Sequence, residues 1–363
     1  MHFSPSLIAL LSAVPFSLAA PTPRDKPAAY PPLPDGLPNP SPEQLQKIEK
    51  EAHGTLPGLP LPTNISETGA ENLQLIAFNQ HIEVAFFDEL IFNITHKVKG
   101  YELPNPVEWE FTLRSLETIF AASVFQLKEK VHALTANEAL RRFGRQTILP
   151  CAYNFPVTTL RDAIILAGSF TSHFIGTLQD MTERFAANND NALTGLLAAT
   201  IANQGTQLGW FRVFLDKYPS EAPTLTRSDV NFGFTYAQTF VVPGSCPNIH
   251  EIKLRTFLPL EIVTFPAAHT TKIKLSWTHV VDDKKENTLW LAYVNQLNVP
   301  TYVPLQVISC DGHKTVAVAV FPYDEFLLNG LTIAAVVDRQ GPFANAVAVA
   351  QSTVYGPALI VVE

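Results

Sequence analysis

The segment Asn72–Thr95 reads NLQLIAFNQHIEVAFFDELIFNIT, and its pattern is the main indication of the fold. Within this segment, six residues recur at spacings of three and four and form one stripe, which is the period of a helix face. The stripe consists of Leu73, Ile76, Gln80, Glu83, Phe87 and Leu90. Because this face is mostly apolar, it should pack against other helices and carry the carboxylate of Glu83 into a protein core.

Three further segments show the same helical period. They begin near Asn105, near Thr159 and after Asp190, which we expect to cap the last of them. A capping box at Thr135–Glu138 predicts a break at the end of the first of the three. Four long amphipathic helices joined by modest loops most simply form an antiparallel four-helix bundle, which we place at residues 63–249.

Period-two alternation replaces the helical pattern in the last third of the chain. The clearest run is Lys272–Trp277, and the others cover residues 289–293, 314–320 and 331–337. Several short strands without intervening helices predict an antiparallel β-sandwich over residues 250–363. The predicted fold class is therefore α+β, with a helical bundle followed by a sandwich.

Residues 1–20 are typical of a signal peptide. The apolar run Leu7–Phe16 is too short to span a membrane and is interrupted by a proline, and small residues precede a cleavage site after Ala19 or the next residue. Residues 21–62 form a proline-rich leader, in which the capping box Ser41–Gln44 starts a short helix. We therefore expect a secreted protein without a transmembrane anchor.

The cysteines and two sequons fit passage through a secretory pathway. Asn64 and Asn93 each begin an Asn-x-Ser/Thr sequence and are predicted glycosylation sites. Three cysteines allow at most one internal bridge. We predict that Cys151 bonds to Cys246, because both lie at loop positions at the ends of one helical region. Cys310 falls in a strand-like run, where we expect it to be a small buried side chain.

Composition excludes several classes of protein. The chain is 47% hydrophobic and 16% charged, so its 363 residues can bury a core and most simply form two domains. The 25 Lys and Arg against 33 Asp and Glu give a net charge of -8 and no basic field for nucleic acid. The sequence contains no nucleophile elbow, Walker loop, dinucleotide-binding loop or His-Glu-x-x-His motif.

The most informative residues are polar residues on apolar stripes. Glu129 and His132 have the Glu-x-x-His spacing, which places both ligand types on one helix face. Two-metal sites in helical bundles use two such pairs and one further Glu from each of the other two helices. Glu83 matches one further Glu, but the fourth helix has Gln204 and Gln207 at the spacing of the second pair. Amides are weaker ligands and bring no charge, so the predicted two-metal site is incomplete.

Three interpretations of these residues stay open. Glu129 can be protonated, or bonded to His132 and the glutamines, in a polar network that fixes helix register. The carboxylates and nearby histidines can instead hold one divalent ion such as Zn²⁺ or Mn²⁺, or a redox-active centre. The predicted cofactor is thus none or a single divalent metal, with Glu83, Glu129 and His132 as the candidate ligands.

The first 250 residues contain several distinctive sequence blocks. The blocks are Pro34–Leu45, Ala52–Pro57, Asn72–Asn79, Glu83–Phe87, Pro150–Cys151, Tyr153–Pro156, Gly176–Asp180 and Val242–Ile249. Together they resemble the fungal late sexual development proteins. The resemblance implies a secreted ferritin-like protein of filamentous fungi, associated with fruiting-body development and stress and without an established reaction. The segment beyond residue 250 is similar only loosely.

The resemblance also bears on the candidate metal ligands. Ferritin-like relatives carry Glu on the first helix, Glu-x-x-His on the second and a Glu-rich motif on the fourth. Glu83, Glu129 and His132 match these positions, whereas Gln204 stands where an acid is usual. This departure counts against metal loading and oxidase chemistry.

The function predicted from the sequence is a non-catalytic role in development or at the cell surface, with a cell-wall or other extracellular partner. The rival is a metal-dependent oxidase or metal-binding enzyme that uses Glu83, Glu129 and His132. A third class is a carbohydrate-binding or wall-binding module in the sandwich, with Trp277 and Trp290 as its platform. The alternation of both tryptophans with their neighbours favours a place in the core instead.

Overall fold

The computed structural model describes residues 33–58, 60–102, 109–278, 289–311 and 313–363. The predicted signal peptide, the first part of the leader and the expected start of the second long helix near Asn105 lie outside the described residues. Within them the fold is α+β, with eight α-helices and two antiparallel sheets of four strands each.

The helices fall mainly in the first two thirds of the chain. They are α1 Pro42–Glu51, α2 Glu67–Thr95, α3 Trp109–Arg142, α4 Leu160–Ala187, α5 Thr194–Phe214, α6 Val230–Gln238, α7 Tyr323–Phe326 and α8 Ala346–Gln351. The predicted capping box of α1 is confirmed, because the Ser41 hydroxyl accepts from the Gln44 amide and the Ser41 N–H donates to the Gln44 side chain at 2.8 Å. The long helices α2–α5 correspond to the four helical stripes of the sequence.

Two predicted helix boundaries are wrong. Asp190 does not cap α5, since a 3₁₀ turn intervenes and the carboxylate accepts instead from the Ser66 hydroxyl at 2.5 Å and from the Ser66 N–H at 3.1 Å. The helix α3 also runs straight through Thr135–Glu138. The Thr135 hydroxyl donates to the Val131 carbonyl inside the helix, and Asn137 is occupied by the backbone of Ile148.

Aromatic rings join three of the long helices in one core layer. The ring of Phe87 lies 5.9 Å from that of Phe125 and 6.2 Å from that of Phe211, and the last two rings are 5.5 Å apart. These side chains belong to one hydrophobic core, to which α4 contributes Phe174 among others. Glu83, Glu129 and Gln207 each lie four residues from one of the three rings, so the layer places their side chains one helical turn away.

The strands fall in the last third of the chain. They are β1 Glu261–Ile262, β2 Thr271–Thr278, β3 Trp290–Asn295, β4 Thr301–Pro304, β5 Gln306–Cys310, β6 Lys314–Phe321, β7 Gly330–Val337 and β8 Thr353–Val362. One sheet has the order β1-β2-β6-β5 and the other has the order β4-β3-β7-β8. Both sheets contribute to one hydrophobic cluster, for example through Leu275 of β2 and Val336 of β7. The four predicted strand runs are confirmed as β2, β3, β6 and β7.

The two tryptophans of the predicted platform lie in or against the protein interior. Trp277 is 2% exposed and its ring lies 5.3 Å from that of Tyr355. Trp290 is half-buried and its ring lies 5.8 Å from that of Tyr302. The prediction that the tryptophans belong to the core is confirmed for Trp277. This side chain therefore cannot form part of a surface platform for carbohydrate.

The disulfide predicted between Cys151 and Cys246 is present. The prediction that Cys310 is buried is wrong, because β5 lies next to β6 at the edge of its sheet, as far as the structure describes the chain, and all five of its residues are exposed. Alternation predicts a strand but does not say which strand lies at an edge.

Among the helices of the described residues, none combines the length and apolar character that crossing a membrane requires.

Hydrogen bonds and ion pairs join the helical part to the sheets. The Thr226 hydroxyl donates to the Leu331 carbonyl of β7 at 2.5 Å and accepts from the Gln296 N–H at 2.7 Å. The Arg212 guanidinium on α5 binds both Glu221 and Glu363, the residue that follows β8. The last strand is therefore tied to the same helix that completes the core of the helical part.

We expect Cys151→Ser to lower the free energy of unfolding by about 2–5 kcal/mol, because the bond closes a long loop in the unfolded chain. The two cysteines are 95 residues apart in sequence. Urea unfolding followed by circular dichroism measures the change. Cys310→Ser, at an exposed position, is the matched control, and equal stability of the two variants would contradict the prediction.

Candidate functional site

The structure brings the predicted site residues together in the helical core. The side chains of Glu83 on α2 and Glu129 on α3 are at most 1% exposed and face the same amide of α5. The Nε2 atom of Gln204 donates to Glu83 Oε2 at 3.0 Å and to Glu129 Oε2 at 2.9 Å. One neutral side chain thus joins the two carboxyl groups across three helices.

Helical spacing supplies the remaining partners. The Glu129 carboxyl bonds to His132 Nδ1 at 2.9 Å and accepts from Gln207 Nε2. The Glu83 carboxyl accepts from Asn79 Nδ2, one turn earlier on α2, at 3.2 Å. Each helix therefore presents its pair at a separation of three or four residues, which puts both members on one face. His132 forms the outer end of this network, with 19% of its side chain exposed.

Burial and mutual repulsion divide the charge between the two acids. Burial, reinforced by the neighbouring Glu129, raises the pKa of Glu83 well above its ordinary value. Burial opposes ionisation of Glu129 as well, but the adjacent His132 and the hydrogen bonds that the carboxylate accepts hold its pKa below the ordinary value. Glu83 is therefore the protonated member, and Glu129 is the ionised member that accepts a hydrogen bond from it.

Several buried polar atoms beside this network make no hydrogen bond within ordinary geometric limits. They are both amide atoms of Gln80, both ring nitrogens of His173, and the Oε1 atoms of Gln204 and Gln207. A cavity of about 10 Å³ is lined by Glu83, His173 and Tyr236, among others. Of the side chains with unpartnered atoms, His173 lines this cavity, whose volume is at the lower limit for one water molecule.

His173 lies on α4 and lines the same cavity as Glu83. Burial lowers the pKa of His173 to about 4, while the Phe232 carbonyl beside the ring favours the protonated form slightly. The ring packs edge-on against Tyr236, with centroids 5.1 Å apart. The imidazole is therefore neutral at physiological pH and adds no positive charge to offset the acids.

The groups that these side chains direct inward show whether the residues fit a pair of bridged metal ions. A cation needs oxygen or nitrogen lone pairs directed at it, but here amide N–H groups of Gln204 and Gln207 point at the carboxylate oxygens. Across the described ranges, no group of three or more His, Cys, Asp or Glu side chains is arranged to hold a metal ion. In this arrangement the residues do not fit two bridged ions.

The two sequons differ in their surroundings. Asn64 is exposed in the segment before α2, whereas Asn93 is half-buried in the last turn of that helix. The side chain of Asn93 bonds to Tyr101, and the Thr95 hydroxyl of the same sequon donates to the Ile91 carbonyl at 2.7 Å. Asn64 is thus the more accessible of the two predicted glycosylation sites in the folded chain.

Sequence reasoning did not single out all the groups around the site. Asn79 could have been found, because it lies four residues before Glu83 on the same helix. A second buried cluster was missed altogether. In it His81 Nε2 lies 3.0 Å from the Ile148 carbonyl oxygen, which also accepts from Asn137 Nδ2 at 2.9 Å. No sequence pattern marks this cluster, since the Ile148 backbone comes from a loop.

No model of a known protein family matches this chain, and no curated protein matches it either. The resemblance to the late sexual development proteins therefore rests on the sequence blocks alone. The contacts of the central site carry the functional inference that follows.

We expect Glu83→Gln to stabilise the protein increasingly as the pH rises. The raised pKa keeps Glu83 protonated in the folded state, whereas the unfolded chain ionises near its usual value of 4.5, so folding takes up a proton and native stability falls with pH. The variant does not titrate and keeps an N–H donor for Glu129. Its gain over the wild type should grow by up to about 1.4 kcal/mol per pH unit above the usual carboxyl pKa.

Denaturant unfolding at a series of pH values between about 5 and 8 measures this gain. Glu138→Gln, at a more exposed position on α3, is the control and should show a difference that does not change over that range. A constant difference for Glu83→Gln would mean that Glu83 is ionised in the folded protein.

Proposed function

We propose that this chain is a secreted protein with a ferritin-like four-helix bundle and a β-sandwich, in which a former two-metal centre has become a structural polar network. Its role is non-catalytic, in fungal sexual development or at the cell surface. The observation that carries the proposal is the Gln204 amide, which hydrogen-bonds to Glu83 and Glu129 at once. The developmental role is supported by the sequence resemblance.

The packing of the helices and sheets supports the two named architectures. The four long helices share one hydrophobic core, and the polar site lies in its middle, as a bundle centre does. The two four-stranded antiparallel sheets share another core, which is how a β-sandwich packs its inner faces. We place the boundary between the two units near residue 250.

The chemistry of the network explains why a non-catalytic role is the better proposal. In a two-metal centre, the positive charge of the ions compensates several buried carboxylates. Here one proton, the N–H groups of Gln204 and Gln207 and the neighbouring His132 compensate the two carboxyl groups. A network of this kind contributes most to helix register, because every member must be in place for the others to be satisfied.

Secretion is supported by three features. The Cys151–Cys246 bond is stable in an oxidising compartment, the first 20 residues have the pattern of a signal peptide, and Asn64 is exposed at a sequon. An extracellular or cell-wall partner is consistent with that location.

A metal-binding function through Glu83, Glu129 and His132 is the second candidate. The unpartnered Oε1 atoms of Gln204 and Gln207 favour it, because rotating each amide by half a turn would direct an oxygen at the carboxyl pair. Glu83, Glu129 and His132 would then hold a single divalent ion with Glu83 ionised, and the bound ion would supply Lewis-acid or redox chemistry.

Metal analysis of the full chain, purified without chelators, separates the two candidates. We expect no stoichiometric transition metal, because amide N–H groups already occupy the carboxylate oxygens that an ion would need. A stoichiometric metal that is retained in Glu138→Ala but lost in Glu129→Ala would overturn the non-catalytic proposal.

Restoring the missing ligands provides the complementary test. We expect the double variant Gln204→Glu with Gln207→His to bind at least one Co²⁺ or Zn²⁺ ion, because it returns a second Glu-x-x-His pair to the core. Calorimetric titration of the metal measures the gain. The matched control is Ala199→Glu with Ala202→His, which creates the same pair at exposed positions of α5. A folded core variant that binds no better than this control would show that the site is not a former metal centre.

A further inference from the structure

A second cavity, of about 380 Å³, lies in the sheet-forming part, away from the polar site of the helices. Its walls are the loop between β3 and β4 and the segment formed by α7 and the two residues that follow it. The volume falls in the range of small-molecule sites. No feature of the proposed function accounts for this cavity.

Apolar side chains line the cavity and are open to solvent. Val299 and Leu327 are each 68% exposed and Phe326 is 40% exposed. Three large apolar side chains around one concavity differ from the scattered single apolar residues of ordinary surfaces, and such patches mark binding sites.

The backbone holds one of these side chains in place at a cost. Leu327 has φ 49° and ψ 53°, in the left-handed region that a bulky residue rarely adopts. The opposite loop also contains a non-glycine residue in this region, Gln296 with φ 52°. Strained residues persist where the surrounding structure fixes them, and they cluster at functional sites.

Two polar groups in the cavity are available to a ligand. The Oγ1 atom of Thr301 is buried and makes no hydrogen bond. Glu325 is exposed, and among the residues that the structure describes it forms no ion pair. The Tyr293 hydroxyl is already engaged, since it donates to the Val320 carbonyl at 2.8 Å. The cavity therefore offers an apolar wall, one hydroxyl and one negative charge.

We propose that this cavity binds a small amphipathic amine. The apolar body of the ligand lies against Val299, Phe326 and Leu327, and its ammonium group faces the Glu325 carboxylate and donates to the Thr301 hydroxyl. Charge complementarity selects this class, because Glu325 is the charged residue among those that line the cavity and would repel a fatty acid. The site does not depend on the central polar network.

Calorimetric titration of the full chain with octylamine, 1-octanol and octanoate tests the proposal, since the three probes share one chain length and differ in charge. We expect octylamine to bind most tightly and octanoate most weakly at low ionic strength. Glu325→Gln should weaken octylamine roughly three- to fivefold, as an exposed charge pair does, and leave 1-octanol unchanged. Added salt should reduce the preference for octylamine over 1-octanol and octanoate.

Leu327→Asn tests the apolar wall without changing the loop, because Asn tolerates the left-handed conformation. We expect this variant to bind both octylamine and 1-octanol roughly tenfold more weakly, since the apolar contact is lost. Phe92→Ser, at an exposed aromatic residue of α2, is the matched control and should bind all three probes like the wild type.

Four results would overturn the proposal. Octanoate binding as tightly as octylamine would remove the assigned ligand class. Unchanged binding in a folded Leu327→Asn variant, or no saturable binding by any probe, would remove the site. A concentration-dependent dimer that Leu327→Asn abolishes, seen by light scattering after gel filtration, would show that a second copy of the chain covers this surface instead.

Discussion

Glu83 and Glu129 are buried side by side, and two carboxylates cannot both be ionised in a protein core without a compensating charge. The chain meets this constraint with one proton on Glu83 and with N–H groups from Gln204 and Gln207. The donors come from α5 and the acids from α2 and α3, so the three helices must keep one register for the acids to be satisfied. The aromatic layer one turn away fixes the same register through apolar contacts.

This solution differs chemically from a metal centre, in which cations compensate the buried carboxylates. A metal ion would require both carboxyl groups to be ionised and the amide oxygens to face inward, whereas here Glu83 keeps a proton and amide N–H groups face the acids. The neutral His173 does not offset the difference, because burial keeps its imidazole unprotonated. The site is thus suited to holding the three helices together.

Buried polar contacts attach the sheet-forming part to the helices. Arg212, which is 6% exposed, lies between Glu221 and Glu363, and a buried guanidinium of this kind is costly to leave without its partners. This junction anchors the last strand, and the cavity between Val299 and Leu327 lies in the same sheet-forming part. The two units therefore contribute separate sites to one chain.

The four long helices, the four main strand runs and the Cys151–Cys246 bond could be predicted from the amino-acid sequence, because local periodicity and loop position carry that information. The sequence also placed Glu83, Glu129 and His132 on core-facing stripes. Only the tertiary structure decided which acid keeps a proton, since that depends on charges brought together from separate helices. It likewise decided that Cys310 lies on an exposed edge strand and that Asp190 binds Ser66, because edge position and long-range partners leave no periodic trace in a sequence.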